Sequence, residues 1–189
     1  MRNGSSYRRG MQVTFTRTAE RRYRVTVDRE LAPPLVMDPG PGYDPYLPHD
    51  LLHFIVECHW ELRNGIFGQL AAGGDAHTFE LADQPRDRRQ ARRRTRRSSR
   101  RNSVSGADIA LSEKLAGVAL TAWLVHTGRL PMPDDAETAL GEIGVTEAEV
   151  VGILGRLDES ASRWHALAVG ESLTLDWPWP ERRGGRRTA

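Results

Sequence analysis

The chain has 189 residues, 39% hydrophobic and 28% charged, a composition that suits one soluble domain and excludes wholesale disorder. Cys58 is the only cysteine, which excludes an intrachain disulfide and a cysteine-based zinc knuckle. The net charge of +2 hides a segregation: Gln84 to Ser103 holds ten Arg and one Asp, a charge of +9, which leaves −7 for the rest.

The segregation continues outside that tract. Residues 1–30 contribute +5 and residues 181–189 contribute +3, so an acidic body of −15 over 31–83 and 104–180 carries three basic appendages. Lys114 is the single lysine beside 26 Arg, the bias of a GC-rich coding genome, which points to a bacterial source. The opening MRNGSSYRRG has no apolar run behind it, and the longest apolar run, Leu115 to Val125, is short of the ~20 residues that span a bilayer. The expectation is a cytoplasmic protein with no membrane partner.

Gln12 to Thr18 and Arg22 to Asp28 alternate with period two and predict a hairpin. Residues 32–48 hold six of the eleven prolines and read as an extended loop that continues neither strand nor helix. A helix is expected from Pro48 to Asn64, with Gly65 as a C-terminal cap at positive φ, and Ile66 to Gly74 adds another helical turn or two. A second long helix spans Gly106 to Thr127, with Ser105 and Asp108 resembling a capping box and Gly128 and Pro131 ending it. A third begins at Thr146, where Thr146 and Glu149 form a capping box and Val145 and Val150 a hydrophobic staple. Ser172 to Trp177 alternates again as a last strand. These elements predict an α+β fold, a small three-stranded antiparallel sheet packed against about three helices, as one domain over 11–180. Residues 84–104 are expected as a disordered arginine-rich insertion, and 1–10 and 181–189 as flexible basic tails.

The segment PHDLLHFIVECHWE carries the chemistry-bearing pattern. His49 and His53 are four apart, stacked on one helical face, with Glu57 one turn further. Two such imidazoles and a third donor can hold zinc or another divalent metal and leave a position for water, with Asp50 as a base or as a group orienting a ligand. HDLLH resembles the zinc-binding HDxxH motif of a ubiquinone-biosynthesis family, over five residues. That resemblance implies zinc-site roles at His49, Asp50 and His53, and a glutamate about a dozen residues on where this chain has Gly65. The stretch from Pro48 to Gly74 is also similar to a segment of small proteins from high-GC bacteria, which implies no activity. The bland alternative is a solvated polar face: on a helical wheel the His/Glu stripe lies opposite Leu51, Ile55, Cys58 and Leu62. Metal-free acid/base work is a third alternative. Trp60 falls beside the histidines, so a loop or a second copy of the chain is expected to cover that face, as a homo-oligomer interface in the latter case. His77, His126 and His165 are further candidate ligands, and Cys58 reads as a small buried hydrophobe.

The arginine tract points to a different function. Arg92, Arg93, Arg94, Arg96, Arg97, Arg100 and Arg101 would bind the phosphates of nucleic acid or another polyanion through counterion release, without base specificity. Capture by the acidic body of the same chain and a neutral linker are the alternatives. RRNSV around Ser103 has the look of a basophilic kinase site. The leading expectation is therefore non-enzymatic polyanion binding, and the alternative is a metal-dependent hydrolytic enzyme built on the HDLLH helix.

Overall fold

A computed structural model of the chain describes residues 10–42, 44–76, 78–82, 106–134 and 136–182. The arginine tract and the proposed capping Ser105 lie outside the described residues.

The class is α+β, with five strands and five helices among the described residues rather than three of each. The predicted hairpin forms from β1 (Gln12–Ala19) and β2 (Arg22–Asp28), registered Val13 to Val27 and Phe15 to Val25. The terminal strand β5 (Ser172–Asp176) pairs antiparallel with the free edge of β1, joining the two ends of the domain. Two short strands escape the pattern: β3 (Leu35–Met37) pairs with β2, and β4 (Glu80–Leu81) pairs with β3, giving the order β4-β3-β2-β1-β5. The proline-rich stretch thus does carry a strand, because Leu35, Val36 and Met37 lie between Pro34 and Pro39 and keep their amide hydrogens.

Alternation sorts the sheet into two faces. Val13, Phe15, Val25, Val27, Leu35 and Leu173 are buried on one. The other is polar, with a hydroxyl pair at Thr14 and Thr174 (2.9 Å), another at Thr16 and Ser172 (2.9 Å), and Gln12 donating to Asp176. Arg24, on this face, pairs with Asp38 at 3.8 Å.

Helix α1 (His49–His59) lies on the apolar face, where Phe54 meets Phe15 and Trp177 edge-on at 6.3 and 5.9 Å. It ends five residues before the predicted Asn64, because Glu61 takes a left-handed φ of 53°. Helix α2 (Ile66–Ala71) follows, with Gly65 as its N-cap at φ −65° rather than as the expected positive-φ C-cap. Helix α3 (Gly106–His126) packs Ser112, Leu115, Ala116, Ala119 and Trp123 inward. Counted across Ser112 to Lys114, α3 is long and apolar enough by length and composition to cross a membrane, the one such helix among the described residues. Helix α4 (Ala136–Ile143) was not expected. Helix α5 (Glu147–His165) starts at the predicted capping box, with the Thr146 amide and hydroxyl donating to Glu149 Oε2 at 2.8 and 2.6 Å.

This arrangement covers α1 twice. The sheet takes its Leu51 and Phe54 side, and α3 lies over the side that a helical wheel assigns to solvent. His53 and Glu57 are consequently both 0% exposed, and Asp50 is buried beside them. The expected tail is also partly anchored: Glu181 accepts from the Glu30 and Leu31 amides, and Arg182 donates to Asn64.

Candidate metal centre

Two helices build the site. On α1 the four-residue spacing places the His49 and His53 rings 4.5 Å apart between centroids. On α3 Glu113 reaches across, and its Oε2 stands 3.5 Å from His53 Nε2. One donor atom from each of His49, His53 and Glu113 lies within 4.8 Å of the other two, the one cluster of this kind among the described residues. Tetrahedral zinc, with bonds of about 2.0–2.2 Å, holds its donors about 3.3–3.6 Å apart, so the triad needs only side-chain adjustment to close on an ion.

His53 Nε2 is the telling atom. It is fully buried and has no hydrogen-bond partner among the described residues, a costly state for a polar atom unless something else engages it. Burial, reinforced by neighbouring His49, pushes the imidazole down to about 4, so the ring is neutral near pH 7 and Nε2 is free to act as a ligand. His49 and Glu113 are exposed, so the triad opens to solvent on one side.

Glu57 does not join the triad, contrary to the sequence expectation. Its Oε1 accepts from the Ile66 amide at 2.6 Å and its Oε2 from the Phe67 amide at 2.9 Å, which ties the carboxylate to the start of α2. Ser112 Oγ adds a bond of 3.1 Å to Oε1 and sits 2.9 Å from His53 Nδ1. Burial pushes Glu57 up to about 7 against the pull of these hydrogen bonds. Its position also explains Gly65, since a Cβ there would lie 2.4 Å from the Glu57 carboxyl carbon.

Asp50 turns the other way. Its Oδ2 accepts the Tyr23 hydroxyl at 2.6 Å, and the Pro41 carbonyl lies 3.1 Å from the same hydroxyl oxygen. Burial raises both the Asp50 carboxyl and the Tyr23 phenol. Asp50 follows His49 in the chain and supplies no donor to the triad.

The remaining candidates go elsewhere. His126 pairs with Asp158 at 3.9 Å, His165 Nε2 bonds the Tyr46 carbonyl at 2.8 Å, and His77 lies outside the described residues. Trp60 is half-buried and meets His59 edge-on at 4.6 Å. Cys58 lies partly buried against the core, and burial pushes its thiol up to about 12, consistent with a packing role. Arg92, Arg93, Arg94, Arg96, Arg97, Arg100 and Arg101 all lie outside the described residues. Glu113 is the residue that sequence reasoning missed. Its one sequence signal is the polar run Ser112, Glu113, Lys114 inside a mostly apolar helix.

No protein-family model matches the chain, and comparison with curated proteins and with solved structures returns no match.

Proposed function

We propose that the chain binds a divalent transition ion, zinc foremost, through His49, His53 and Glu113. The carrying observation is the buried Nε2 of His53, which makes no hydrogen bond among the described residues, beside two further donors. Two imidazoles and one carboxylate suit zinc and its first-row neighbours, whereas calcium and magnesium prefer all-oxygen surroundings. Three protein donors with a solvent-facing side suit a reactive centre more than a structural one, which usually closes with four. Such a centre supports hydrolysis, since a zinc-held water ionises near neutral pH. The test is zinc stoichiometry after purification from supplemented medium: one ion per wild-type chain, and none in a variant with His49→Ala and His53→Ala. A zinc-free wild type overturns the reading.

A second function rests on composition. The ten Arg between Gln84 and Ser103 favour binding of nucleic acid or another polyanion, an activity separable from the metal centre.

A further inference from the structure

The polar atoms behind His53 form a chain of fixed direction. Ser112 Oγ lies 2.9 Å from His53 Nδ1 and 3.1 Å from Glu57 Oε1, and all three side chains are 0% exposed. Glu57 ends the chain as an acceptor, because the Ile66 and Phe67 amides donate to its two oxygens at 2.6 and 2.9 Å. A serine hydroxyl has one hydrogen, and the Glu57 oxygen claims it once that carboxyl is ionised, above about pH 7. Ser112 Oγ then faces Nδ1 with lone pairs only, and a stable contact at 2.9 Å requires the imidazole hydrogen to sit on Nδ1. The lone pair is left on Nε2, the atom that stands 3.5 Å from Glu113 Oε2.

We propose that Ser112, oriented by Glu57, is a positioning residue that holds His53 in the Nδ1–H tautomer and so presents Nε2 to the metal. Its purpose rests on the metal-binding reading; its geometry rests on hydrogen bonding alone. Neither Ser112 nor Glu57 touches the ion. Both act through His53, as the partners behind metal-bound imidazoles commonly do. Because Glu57 is anchored on the first turn of α2, the relay also ties the ring to a third helix.

The experiment has two arms on the full chain. In metal-free wild type labelled with 15N-histidine, long-range 1H–15N spectra at pH 7.5 should show a pyrrole-type Nδ1 and a pyridine-type Nε2 for His53. A hydrogen on Nε2 overturns the relay, whether or not the protein binds metal. In Ser112→Ala, cobalt(II) affinity, read from its visible absorption and from zinc competition, should fall about 10- to 100-fold. The same spectra should show His53 distributed over both tautomers. Wild-type affinity with an unchanged tautomer in Ser112→Ala overturns the assignment. A wild type that takes up neither cobalt nor zinc, while His53 keeps its hydrogen on Nδ1, defeats the metal reading and leaves the relay standing.

Discussion

The Glu57 carboxyl and Gly65 occupy adjoining space so closely that a Cβ on Gly65 would stand 2.4 Å from the Glu57 carboxyl carbon. Gly65 has an ordinary φ of −65°, so the glycine is required by this approach and not by backbone conformation. Gly65→Ala should therefore push Glu57 off the Ile66 and Phe67 amides, leaving buried polar groups unpaired. The expected loss is about 1–3 kcal/mol in urea unfolding, together with weaker zinc binding. A neutral Gly65→Ala would show that Glu57 has room to retreat.

Tyr23 and Asp50 form a further buried polar contact of α1, at 2.6 Å. Tyr23→Phe removes the donor and leaves the Asp50 carboxyl without its hydroxyl partner. Denaturant unfolding should show a destabilisation of about 1–3 kcal/mol, and zinc should still bind because Asp50 is no part of the triad. Loss of zinc from a folded Tyr23→Phe protein would give Asp50 a direct part in the site.

His53 and Glu57 shape stability against pH with opposite signs. His53 binds fewer protons in the folded chain between about 4 and its ordinary 6.5, so its contribution grows as pH rises across that window. Glu57 holds its proton up to about 7 in the fold but only to about 4.5 when unfolded, so its contribution shrinks from 4.5 to 7. The two oppose each other in the metal-free wild type. Glu57→Gln removes the second effect alone, and its melting temperature should climb between pH 4.5 and 6.5 more steeply than that of wild type. Parallel melting profiles would contradict this.

The arginine tract predicts binding of duplex DNA or RNA that weakens steeply with salt, since several phosphates are neutralised together. Replacing Arg92, Arg93, Arg94, Arg96 and Arg97 with Gln should flatten the salt slope and leave zinc binding intact. An unchanged slope removes the tract from the interaction.

Local signals carried well from sequence to structure, and tertiary ones did not. The Thr146–Glu149 capping box and the β1–β2 hairpin depend on residues a few positions apart, so their chemistry is complete within a short window. Strand β3 has three residues and exists through pairing with β2 and β4, which no periodicity of its own announces. The wheel of α1 placed His53 and Glu57 opposite the apolar stripe correctly, yet exposure depends on what packs there, and α3 does. Glu113 lies 60 positions beyond His53, so only the packing of α1 on α3 brings its carboxylate to the histidines. Glu57, at the spacing that favours a helical ligand, is instead taken by backbone amides of α2.

The choice between Glu113 and Glu57 as third ligand is the sharpest test of the centre. Zinc affinity should be measured by competition with a chromogenic chelator for wild type, Glu113→Gln and the His49→Ala, His53→Ala double variant, each checked for folding by circular dichroism. The account predicts one tightly held zinc in wild type, a loss of at least about tenfold in affinity in Glu113→Gln, and none bound by the double variant. Wild-type affinity in a folded Glu113→Gln protein would contradict it.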